Sequence, residues 1–104
     1  MSGGHFYISP YAIAEVEREI REVVAANHTG QKDEVGFPLD REYDEGTICY
    51  LNKVAALVHL TYRVLRITDY MISGDTSPER ACKQMDEVGL GALDVSKVPI
   101  QDDD

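Results

Sequence analysis

Residues 47–72 read TICYLNKVAALVHLTYRVLRITDYMI, a stretch with neither proline nor glycine. As an α-helix it covers ~39 Å at 1.5 Å per residue. Ile48, Leu51, Ala55, Val58, Tyr62, Leu65, Asp69 and Ile72 alternate at spacings of three and four, the a/d pattern of a coiled-coil seam. A second uncharged line, Tyr50, Val54, Leu57, Thr61, Val64, Thr68 and Met71, runs beside the first. A helix with two such lines needs two partners, so one is expected to pack within the chain and the other against another copy.

The elements on either side are short. Ser9-Pro10 is a helix start, with Ser at the N-cap and Pro at the first helical position, where its missing N–H costs nothing. Ile13, Val16, Ile20 and Val23/Val24 then form a stripe opposite Glu15, Arg18, Glu19 and Glu22, which predicts an amphipathic helix over 10–27. Residues 28–46 are charged, interrupted by Gly36 and Pro38, and have no sustained period. Connections of that length in small domains are often functional. Gly74 suits the left-handed cap position after the long helix. Ser77-Pro78 repeats the Ser-Pro start for a short helix over 78–88. The remainder, 89–104, reads as an extended arm with an acidic tip, and residues 1–9 form an N-terminal arm. The expected fold is therefore all-α: one domain built as a long helical hairpin plus a short third helix, assembling as a homo-oligomer.

With 19 acidic against 10 Lys and Arg residues, the chain carries a net charge of −9. That balance argues against nucleic-acid binding, which draws most of its affinity from neutralised phosphates. It leaves open a DNA mimic or a partner for a basic host protein. The first residues lack a basic stretch, and no apolar run approaches the roughly 20 residues that span a bilayer. A cytoplasmic protein without membrane contact is expected. Cys49 and Cys82 lie far apart with no Cys/His cluster, which predicts free thiols and neither a disulfide nor a metal centre. No cofactor is expected.

One line of the long helix stays polar: Asn52, Ala56, His59, Arg63, Arg66 and Tyr70, again spaced by four and three. Two arginines on one face, between His59 and Tyr70, make a grip for phosphate or carboxylate, because guanidinium binds oxyanions in bidentate fashion. The plainer reading pairs Arg63 and Arg66 with Glu15, Glu19 or Glu22 of the first helix. Asp69 interrupts the apolar seam and requires a partner, with Arg66, Tyr62 or the N-terminal segment within sequence reach. That segment, MSGGHFY, places His5, Phe6 and Tyr7 behind Gly3 and Gly4. Rings next to residues that permit close backbone approach suggest a ligand-facing arm, with consecutive amides available to an anion. The candidate ligand-binding set is thus Gly3, Gly4, His5, Phe6, Tyr7, His59, Arg63, Arg66, Asp69 and Tyr70.

Catalytic patterns find little support. Neither GxSxG, a Walker loop nor HExxH occurs. Arg21 and His28, separated by six residues, loosely resemble the Arg/His spacing of HEPN-type ribonucleases, yet His28 falls at a helix end, where it complements the dipole. The protein is expected not to be an enzyme.

MSGGHF at the start, with Arg66, Asp69, Tyr70 and Ser73-Gly74-Asp75 at the end of the long helix, resembles a group of small phage and prophage proteins. Those begin with the same six letters and carry an R-x-x-D-W-hydrophobic-hydrophobic-S-G-D stretch, with Tyr70 here in place of the Trp. The resemblance implies a phage-encoded accessory protein. In kind, the chain is similar to the oligomeric phage sponges that sequester nucleotide immune signals such as cyclic dinucleotides or cyclic ADP-ribose. The expected function is anti-defence: sequestration of a small nucleotide-derived signal in host cytoplasm. An acidic protein-binding inhibitor and a structural assembly protein are the alternatives.

Overall fold

The computed structural model describes residues 9–98, which form three α-helices: α1 (Pro10–Ala26), α2 (Glu45–Ile72) and α3 (Pro78–Glu87). Each begins where local chemistry dictates. The Ser9 hydroxyl accepts from the Tyr11 N–H at 3.2 Å, and the Ser77 hydroxyl accepts from Arg80 N–H at 3.2 Å. Asp44 caps α2 by accepting from the Thr47 amide at 2.7 Å, with Glu45 in the first turn to complement the helix dipole. Gly74 follows α2 at φ +86°, the left-handed conformation glycine adopts without strain.

α1 and α2 pack antiparallel. Tyr11 meets Tyr62 with ring centroids 6.0 Å apart, Glu17 meets His59 at 2.9 Å, and the Asn27 amide exchanges two hydrogen bonds with the Tyr43 backbone at 2.8 and 3.0 Å. α3 then folds back over the C-terminal half of α2. Among the described residues the buried apolar side chains are Ala26, Ala55 and Ala81. The helices thus approach closely at small residues, while Ile48, Leu51, Val58 and Leu65 stay half-buried. Of the expected seam, Tyr62 meets Tyr11 of α1, Ala55 and Asp69 are buried, and Ile72 is exposed at its end.

Two expectations are corrected. Val16 is exposed, and Glu17 takes its place against α2, because a carboxylate there meets both Arg21 and His59. The described part of the C-terminal arm is not extended: Leu90–Ala92 and Val95–Lys97 each form one turn of 3₁₀-helix. Gly89 at φ +102° reverses the chain, and Asp94 Oδ1 accepts from the Ser96 amide at 3.0 Å. The segment before α2 is a connection, as expected, with local order of its own. It closes as a small hairpin around an isolated bridge between Lys32 and Pro38. Asp33 Oδ1 accepts from the amides of Val35 and Phe37 at 3.0 and 2.9 Å, while the Asp33 amide donates to the Phe37 carbonyl at 2.9 Å.

Candidate functional site

The polar line of α2 lines a cleft of about 730 Å³. His59, Tyr62, Arg63, Arg66, Ile67 and Tyr70 form one wall, and Gln84, Glu87 and Val88, from α3 and its C-terminal end, form the other. The volume falls in the range of small-molecule sites, about 300–1,000 Å³. Helical spacing of three and four is what aligns the first wall, and the Gly74 turn is what brings the second against it.

Arg66 is the centre of the arrangement. Its Nη2 donates to the Tyr70 hydroxyl at 3.2 Å and its Nη1 to the Tyr62 hydroxyl at 3.3 Å. Its guanidinium carbon lies 5.5, 5.7 and 5.8 Å from the ring centroids of Tyr11, Tyr62 and Tyr70. Cation–π attraction operates at these distances. The bond to Tyr70, then that to Tyr62, raises the Arg66 pKa above its ordinary value against the opposing effect of burial, so the group is a permanent cation. Phenol rings and hydroxyls orient a guanidinium without neutralising it, which keeps its charge for an anion.

Two of the three candidate partner carboxylates, Glu15 and Glu22, are engaged elsewhere, and the third, Glu19, forms no ion pair among the described residues. Arg18 holds both Glu15 and Glu22, at 2.7 and 2.6 Å, and Glu17 holds Arg21 at 2.7 Å. Among the described residues neither Arg63 nor Arg66 forms an ion pair with a carboxylate. In a chain of net charge −9, the cleft lining carries two arginines against one carboxylate, Glu87. His59 Nδ1 faces Glu17 Oε1 at 2.9 Å, which fixes the ring and leaves its other nitrogen to the cleft. The bonds from Arg21, then from His59, lower the Glu17 pKa from its ordinary value.

No protein-family model, curated protein or solved structure matches this chain. The site therefore stands on its own geometry.

Of the residues expected at the site, His59, Arg63, Arg66 and Tyr70 come together. Asp69 is buried and lies outside the cleft lining, with its Oδ1 accepting from the Ser73 hydroxyl at 3.4 Å. Gly3, Gly4, His5, Phe6 and Tyr7 lie outside the described residues. Gln84, Glu87 and Val88 were not anticipated, since nothing in their spacing announces which helix they will face. Tyr62 had a signal: it stands four residues before Arg66, on the same face. Arg21 donates to Glu17, and His28 lies beyond α1 at φ 61°, so neither joins the cleft. In the loop, Asp40 accepts from the Gly30 and Glu42 amides at 3.0 and 2.8 Å. Those bonds, the one from Gly30 foremost, lower its pKa.

Proposed function

We propose that this protein, as a homo-oligomer, binds a small nucleotide-derived anion in the cleft between α2 and α3 and sequesters it without turning it over. The observation that carries the reading is the set of three phenol rings around Arg66, which leaves its charge without a carboxylate partner among the described residues. Arg63 and Arg66 would hold phosphates in charge-assisted hydrogen bonds, about twice as strong as neutral ones. The Tyr70 ring would stack on a base, and Gln84 would read a base edge. The resemblance to phage proteins supplies the biological setting, in which the bound molecule is an immune signal such as a cyclic dinucleotide or a cyclic ADP-ribose. Calorimetry against a panel of cyclic dinucleotides and ADP-ribose isomers tests the reading. Binding to a member of the panel, lost in Arg63→Ala and Arg66→Ala, with the ligand recovered unchanged, is the expected result. Flat titrations across the panel with folded protein would sink it.

A second reading, a protein-binding inhibitor, is favoured by the loop. Val35 and Phe37 are 77% and 68% exposed on a hairpin whose conformation Asp33 already fixes. Exposed apolar residues on a preorganised turn suit a protein partner. Asp33, Asp40 and Asp44 accept hydrogen bonds from the chain's own amides, so the support for this reading comes from the apolar tip. Substitution of Phe37 by Ser would abolish such an interaction and leave nucleotide binding intact.

A further inference from the structure

The first half of the second apolar line of α2 is open on this chain. Tyr50, Val54 and Leu57 are 69%, 43% and 64% exposed, and Thr61 continues the ridge half-covered. Their spacing of four, three and four is that of a coiled-coil seam. Among the described residues no large side chain is fully buried, and the radius of gyration is 17.5 Å, against roughly 13 Å for a compact chain of this length. The accessible surface is 8091 Å², whereas a compact monomer of this mass exposes roughly 5,800 Å².

We infer that the Tyr50–Thr61 ridge is where a second copy of this chain docks, antiparallel, with Val54 of each copy facing Leu57 of the other and Tyr50 facing Thr61. This shares with the reading above the assembly of several copies and is independent of its ligand. The four ridge side chains are uncharged, and the charge beside them is the Lys53 ammonium, 5.1 Å from the Tyr50 ring centroid, so two copies can meet there although each chain carries −9. Orientation follows from charge. A parallel pair sets the acidic starts of α2, with Glu42, Asp44 and Glu45, side by side. The antiparallel register instead sets the two acidic starts about 30 Å apart along the pair, well beyond the ~10 Å over which exposed charges repel.

The arrangement also keeps the cleft accessible. Tyr50, Val54, Leu57 and Thr61 each stand nine residues before His59, Arg63, Arg66 and Tyr70 respectively. Nine residues are about two and a half helical turns, so ridge and site occupy opposite sides of α2. Both clefts of the pair face outward, and the interface forms without closing either.

Sedimentation equilibrium of the full chain, without any nucleotide, tests the surface. A mass of twice 11.6 kDa is expected, falling to one chain in Leu57→Glu with helical circular dichroism unchanged, while Val35→Glu on the loop remains paired. A single-chain mass for the wild type, or a Leu57→Glu variant that stays paired, overturns the proposal. Cross-linking tests the register on a Cys49→Ser/Cys82→Ser background. Tyr50→Cys chains mixed with Thr61→Cys chains should form disulfide dimers, whereas Tyr50→Cys chains alone should not, since their thiols lie ~16 Å apart along the pair. Efficient self-linking of Tyr50→Cys overturns the antiparallel arrangement. Because no ligand enters these measurements, a loss of nucleotide binding and a loss of pairing are told apart.

Discussion

Arg66 Nη2 donates to the Tyr70 hydroxyl across one turn of α2, at 3.2 Å, and that single bond joins a fixed cation to an aromatic ring. The hydroxyl orients the guanidinium and the ring lies beside it, so the two act as one unit toward a ligand.

Replacing Arg66 by Lys keeps the charge and removes the planar fork. Losing one or two charge-assisted hydrogen bonds of about 1.5–3 kcal/mol each corresponds to a fall in affinity of at least tenfold. Arg66→Ala should lower it further, and Tyr70→Phe, which keeps the ring, should lower it less than either. Calorimetry with the best ligand of the nucleotide panel gives the order, and helical circular dichroism checks that each variant is folded.

Glu17 supplies a pH dependence. Its pKa is held below the ordinary value, by Arg21 first and His59 second. A depressed carboxylate pKa gives stability that is complete above the ordinary glutamate range and is lost as pH falls through the folded-state value. Thermal midpoints should therefore drop on acidification, and Glu17→Gln should flatten that limb of the curve. An acid limb equally steep in the variant would show that Glu17 does not contribute to it.

Ala55 is fully buried where α1 crosses α2, whereas the adjacent Ala56 is exposed. Leucine at 55 forces the helices apart and should destabilise by about 1–3 kcal/mol. Leucine at 56 should fall within about 0.5 kcal/mol of wild type. Urea unfolding of the two variants side by side reads the difference.

The loop separates order from recognition. Asp33→Ala removes the acceptor for two amides and should raise proteolysis between residues 31 and 42, with the amides of Val35 and Phe37 exchanging faster. Phe37→Ser should change neither, because that side chain is 68% exposed and holds nothing in place. Limited proteolysis and hydrogen exchange distinguish the two variants.

Much of this was legible because it depends on local rules. The Ser9-Pro10 and Ser77-Pro78 starts, the Gly74 stop and the uninterrupted α2 need only the neighbouring residues. The alignment of His59, Arg63, Arg66 and Tyr70 follows from helical geometry alone. What was not legible depends on contacts between elements. Glu17 displaces Val16 from the packed face because His59 arrives from α2, and periodicity within α1 carries no trace of that. Gln84 and Val88 enter the cleft through the angle α3 takes after Gly74. The hairpin over residues 32–38 is organised by one Asp carboxylate accepting from amides two and four residues on, a pattern that hydrophobic spacing does not register.

The tyrosines around Arg66 make the site self-reporting. The chain has no Trp and six Tyr, and Tyr11, Tyr62 and Tyr70 all sit within 6 Å of one guanidinium. Half of the tyrosines, the protein's main fluorophores, therefore surround a single cation. An anion or a base entering the cleft would alter their emission directly, so occupancy can be followed optically on unlabelled protein.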